Sequence, residues 1–188
     1  MRVYVPVPSL APHGGIRVIV AIANRLADWG HHVRLHPLRP PTREEASYWR
    51  FSPKLGIGQM GEMPERVLVT SPHSLHLAVH RKTVVHLQML EHLFQPNDPV
   101  WRAKCKATYN FPGRLLAISR WTLEYMRRGD APTTYMGNGV DFRDFPLVES
   151  PDKDPVPTVL VEGWNAYNPT KDVDRVAPRV AEELKSRG

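Results

Sequence analysis

The sequence predicts an α/β fold, a Rossmann-like open parallel sheet with helices on both faces. Short β-rich runs alternate along the chain with longer helix-forming ones, and neither a repeat nor a low-complexity segment interrupts them. The first β-rich run leads through Gly14-Gly15 into a helical stretch and then to a second β-rich run, which makes a βαβ unit.

In chain order, Val3-Tyr4-Val5-Pro6-Val7 is apolar enough to be a buried parallel strand. The loop Pro8 to His13 follows, then helix-forming residues with a broad apolar face from Ile16 to Trp29, with Gly30 suited to the C-cap. Val33-Arg34-Leu35 is the second strand. Residues 38–64, with their prolines and glycines, predict a long connection holding one short helix. Arg66 to Thr70 is the third strand, and Ser71-Pro72 pairs an N-cap serine with a proline at the first helical position. Thr83 to Leu87 is the fourth strand, Pro99 to Tyr109 a helix, and Leu115 to Ile118 the fifth strand. Ser119 caps a helix from Arg120 to Arg128. The sixth strand, Thr133 to Met136, ends in Gly137-Asn138-Gly139.

At roughly 100–200 residues per domain, 188 residues hold one complete α/β domain and part of another. The expected division is a first domain at 1–148, a polar, proline-rich linker at 149–157 and the opening strand and helix of a second domain at 158–188. One strand and one helix cannot bury their apolar faces alone, so residues 158–188 are expected to pack on the first domain or to support self-association.

The net charge of +6 is unevenly spread: residues 1–148 carry 19 basic and 11 acidic side chains, residues 149–188 carry 6 and 8. That field favours an anionic partner. The single cysteine, Cys105, excludes an internal disulfide and fits a reducing cytoplasm. The N-terminal residues lack the apolar stretch of a signal peptide, and no run reaches the ~18 apolar residues of a membrane span. A cytoplasmic protein is expected.

Gly14-Gly15 lies between a strand and a helix, where glycines let backbone N–H groups approach a phosphate at the helix N-terminus. It lacks the G-x-G-x-x-G pattern of dinucleotide binders. His73, His76 and His80 have helical spacing, but no cysteine or acidic residue stands near them, so no metal site is expected. Beyond the carboxyl edge of the fourth strand come Gln88, Glu91 and His92; Ser119-Arg120 follow the fifth strand and Asn138-Gly139 the sixth. Ligands of open α/β sheets bind at that edge, so these loops define one candidate rim.

Gly14-Gly15, Gly30-His31-His32-Val33, Gln88-x-x-Glu91-x-x-Phe94, Ala117-Ile118-Ser119-Arg120-Trp121, Gly137-Asn138-Gly139-Val140-Asp141-Phe142 and Val161-Glu162-Gly163 with Lys171-Asp172 occur in that order. Together they resemble the GT-B glycosyltransferases of the glycogen-synthase-like family four. The Gln-x-x-Glu-x-x-Phe stretch and Tyr109-Asn110-Phe111-Pro112 are most similar to its bacterial rhamnosyltransferase branch. The resemblance runs from about Val3 to Lys171. It implies the N-terminal half of a GT-B fold and a retaining, metal-independent transfer of a sugar from a nucleotide-diphosphate donor to a glycan or lipid-linked acceptor, with peripheral membrane contact. No cofactor beyond the donor is implied.

By the same resemblance, Gly14, Gly15, Asn138, Gly139 and Lys171 would face the donor phosphates, while Trp164-Asn165 stands where the family often has an arginine. Gln88, His92, Ser119 and Arg120 would line the acceptor, and Glu91 or His86 would orient its hydroxyl. The family's Glu-x7-Glu donor motif has no counterpart within these residues, so the expectation is a fragment without transfer activity of its own. The competing readings are a basic nucleic-acid-binding module and another Rossmann-like nucleotide-binding enzyme. Against the first, basic and aromatic residues do not interleave in a stacking pattern. Against the second, no acidic residue closes the second strand where an adenosine ribose would be held.

Overall fold

A computed structural model describes residues 1–79, 82–93, 95–127, 132–139 and 173–187. It divides into two compact units, Met1–Gly139 and Val140–Gly188. The linker at 149–157, the strand at 158–161 and Lys171 fall outside the described residues.

The first unit is a seven-stranded, entirely parallel sheet with helices, an α/β Rossmann-like fold. Its strands are β1 (Arg2–Val7), β2 (His32–Pro37), β3 (Gly56–Ile57), β4 (Arg66–Val69), β5 (Thr83–Leu87), β6 (Arg114–Ala117) and β7 (Thr133–Tyr135). They lie in the order β3-β2-β1-β4-β5-β6-β7. The order reverses between β1 and β4, and that crevice at the carboxyl ends is where such sheets bind ligands.

Helix α1 (Gly14–Asp28) buries Ile16, Ile19, Val20, Ala23 and Ala27, a stripe at three- and four-residue intervals. They pack with Val3, Val5 and Val7 of β1, Val33 and Leu35 of β2, and Leu68 of β4. The alternate strand residues, Tyr4, Val67, Val69, Val85 and Leu87, pack instead with Cys105 and Tyr109 of α3 (Pro99–Tyr109). Side chains of a strand alternate between faces, so α1 and α3 cover opposite sides of the sheet. After α1 the chain turns at Gly30, whose φ of +87° suits glycine. Asp98 caps α3 by accepting from the Val100 and Trp101 N–H groups at 2.9 Å, with Pro99 at the first position.

Two local expectations change. The connection 38–64 contains its short helix, α2 (Arg43–Tyr48), closed by a Thr42/Glu45 capping box. It also contributes β3, which pairs with β2 through Arg34↔Gly56 and Leu35↔Ile57; two residues are too few to show strand alternation in a sequence. Ser71-Pro72 opens a 3-10 helix, Pro72–Leu77, rather than an α-helix. It stays one short segment because Ala78 is already extended and the Val79 N–H and C=O both bond Thr83 Oγ1 at 2.8 Å, which fixes the entry to β5. Helix α4 (Arg120–Met126) completes the unit.

In the second unit, α5 (Val173–Arg187) carries Pro178 in its interior, which removes one backbone donor. No helix among the described residues is long and apolar enough to cross a membrane.

Candidate functional site

The rim at the carboxyl edge is built from loops that the parallel sheet brings to one side. The loop after β1 is held from below by Leu10, which is 1% exposed and whose carbonyl accepts from Trp49 Nε1 at 2.7 Å. His13 then acts as N-cap of α1, its Nδ1 accepting from the Ile16 N–H at 3.4 Å. Burial lowers the His13 pKa, which keeps the ring neutral and able to accept. Gly14 and Gly15 are the first two residues of the helix, where backbone donors have no intrahelical acceptor.

Gln88, just past β5, reaches across this loop and donates from Nε2 to the Gly15 carbonyl at 3.2 Å. A Cβ on Gly15 would stand 2.9 Å from Gln88 Oε1, so the contact requires glycine there. A β-branched residue or alanine would push the amide away. Gly14-Gly15 and Gln88 are thus brought together at the switch point.

Glu91 opens the turn Glu91–Leu93. Its backbone carbonyl accepts from Trp101 Nε1 at 3.1 Å, which draws the turn onto α3. Burial pushes the carboxyl pKa up to about 7. The neighbouring Cys105 thiol is raised to about 11, chiefly by burial and secondarily by the Glu91 charge. The interior here leaves a cavity of about 10 Å³, lined by Thr70, Ser71, Glu91, Thr108 and Tyr109 among others, which is room for one water.

His92 links the turn to two helices. Its Nδ1 lies 3.1 Å from the Tyr109 hydroxyl and its Nε2 3.3 Å from the Tyr125 hydroxyl. A chain of polar groups thus runs from the α3 side to exposed Tyr125 on α4. Nothing in the sequence joins the two tyrosines, since only packing makes them neighbours. Ser119 Oγ accepts from the Thr122 N–H at 3.0 Å as the cap of α4, and Arg120 beside it is exposed.

His86 is among the residues that line the same small cavity as Glu91. Alternation along β5 sets His86 on the face of Val84, whereas Val85 and Leu87 face α3, where Glu91 lies. The ring is 1% exposed, and among the described residues neither nitrogen has a partner. Burial drives its pKa down to about 4. The unfolded chain therefore takes up a proton below its ordinary 6.5 while the folded one resists until about 4, so this residue weakens the fold as pH falls through that interval. Replacing it with leucine is expected to raise the stability at pH 4 relative to that at pH 7. Urea midpoints at pH 4 and 7 check this, and an unchanged difference between them would contradict it.

Asn138 and Gly139 follow β7, four strand steps from β1, so the strand ends they extend lie roughly 19 Å from the Gly14 loop. The structure does not bring them to Gly14-Gly15. His73 stacks on Trp101 with ring centres 4.8 Å apart and His76 Nδ1 lies 3.0 Å from the His73 carbonyl, while His80 is outside the described residues. Among the described residues no three potential metal ligands gather. Neither the models of known protein families nor the curated proteins match this chain.

Proposed function

We propose that this chain is the acceptor-binding half of a retaining, metal-independent glycosyltransferase that uses a nucleotide-diphosphate sugar. The observation that carries the reading is the Gly14-Gly15 loop at the N-terminus of a 15-residue helix, tied to Gln88 at the point where the strand order reverses. Free N–H groups and the positive end of α1 favour a diphosphate at that place. A departing nucleoside diphosphate gains negative charge as the glycosidic bond breaks, so these fixed dipoles stabilise the transition state more than the ground state.

Gln88, Glu91 and His92 lie along the next loop, where an acceptor hydroxyl would approach the donor carbon. With its pKa near 7, Glu91 can hold or release a proton at the pH of a cell interior. Ser119 and Arg120 extend the rim at α4, within reach of a glycan or a lipid-linked phosphate. The acceptor is expected on the cytoplasmic side, with the protein in peripheral contact with a membrane.

Retention on an immobilised nucleoside diphosphate, compared with retention on DNA, separates this reading from a nucleic-acid-binding module. The chain is expected to elute from the first resin with free UDP or GDP, and the Gly15→Ala variant to pass through. Salt-dependent retention on DNA alone would overturn it.

A further inference from the structure

The opposite edge of the sheet carries a second concave site. Where β4, β5 and β6 begin, a cavity of about 230 Å³ is lined by Arg66, Lys82, Thr83, Val84 and Arg114. Three of its five lining residues are cations. They converge because the parallel register stacks the strand starts: Val67 lies opposite Thr83 and Val84 opposite Arg114, so Arg66, Lys82 and Arg114 come from three adjacent strands. The Lys82 carbonyl accepts from the Val67 N–H at 3.0 Å, which fixes the backbone of that row.

Charge compensation is sparse. Among the described residues, the side chains of Lys82 and Arg114 have no hydrogen-bond or ion-pair partner. Arg66 Nη1 donates only to the Glu65 carbonyl at 2.7 Å. Glu65, the adjacent acid, accepts from the Arg2 N–H at 2.6 Å, and its charge is felt by Arg66 but forms no ion pair with it. The floor is buried: Thr83 is 2% exposed and its hydroxyl is already bonded to Val79. Cations around a low-dielectric floor concentrate positive potential in the concavity.

The geometry points to an anion-binding site at the amino edge of the sheet, taking a compact phosphate-bearing group between Arg66, Lys82 and Arg114. Its volume is below the ~300–1,000 Å³ of pockets that enclose drug-sized ligands, which favours a phosphate or diphosphate over a whole nucleotide. Arginine forks and a lysine ammonium suit phosphate oxygens. The site is distinct from the Gly14-Gly15 rim, because Thr83 and Gln88 stand at opposite ends of β5, five positions and about 16 Å apart along the strand. It does not rest on the glycosyltransferase reading.

The group could belong to a free metabolite or to a lipid head, and two arms tell these apart. Calorimetric titration with pyrophosphate at fixed ionic strength is expected to show one site, weakened about tenfold or more by Arg114→Glu and about fivefold by Lys82→Ala. Arg43→Glu, an equal charge reversal on α2, is expected to stay within about twofold. Sedimentation with phosphatidylglycerol-containing vesicles forms the second arm. Binding lost in Arg114→Glu but kept in Arg43→Glu, in either arm, supports the site and identifies the source. Absence of binding in both arms, or equal loss in both variants, overturns it. Circular dichroism confirms that each variant is folded, and because no arm measures sugar transfer or the Gly15 loop, failure here leaves the proposed function standing.

Discussion

Replacing Glu91 with glutamine is expected to stabilise the protein by ~3 kcal/mol at pH 8 and to change little at pH 4. Burial raises the Glu91 pKa from 4.5 to about 7. Between those values the unfolded chain has released the proton while the folded chain still holds it, so stability falls as pH rises through this window and then levels off. Glutamine imitates the protonated carboxyl and removes that loss. Urea denaturation from pH 4 to 8 reads the effect directly. Parallel curves for the two proteins would show that Glu91 is not buried as described. His86 acts in the opposite direction, weakening the fold toward acid, and because the two windows overlap between about 4.5 and 6.5 their pH dependences largely cancel there.

The Gly15→Ala variant is expected to fold as well as the parent, or slightly better, yet to bind a nucleoside diphosphate about tenfold more weakly. Alanine is favoured over glycine within a helix by about 0.5–1 kcal/mol. Its Cβ would press on the far end of the Gln88 side chain, at 2.9 Å, which can move, and would reach ordinary contact with the His13 ring at 3.4 Å. What moves away is the amide that holds the Gly15 carbonyl and shapes the loop. Thermal melts and calorimetry with UDP or GDP separate the two effects. Loss of stability together with binding would make the contact structural, and unchanged binding would remove the loop from the ligand site.

How much of this was legible in the sequence follows from the range of each signal. Six strands were readable because runs such as Val3 to Val7 and Thr83 to Leu87 are apolar and bounded by turn residues. Caps were readable where they use common chemistry: Ser71 and Ser119 accept N–H groups, and Gly30 adopts positive φ. His13 was not, because imidazole is an unusual cap. The two residues of β3 were too short to register, and nothing local separates the 3-10 segment Pro72–Leu77 from the start of an α-helix.

In the candidate site, position along the chain placed Gly14-Gly15 and Gln88 on one edge, but their contact is a tertiary fact spanning more than seventy residues. The same holds for the Tyr109–His92–Tyr125 chain. The sequence leaves His86 and Glu91 as alternatives for orienting an acceptor hydroxyl; the two-residue period of β5 sets the histidine on the face of Val84, and both residues line one small cavity.

The most direct test of the central claim is amide chemical-shift mapping of the protein titrated with UDP and GDP, with and without an attached sugar. The shifts are expected to concentrate on Gly14, Gly15 and Gln88 and to saturate. Saturable binding that leaves these amides unmoved, or no binding by any nucleoside diphosphate, would contradict it.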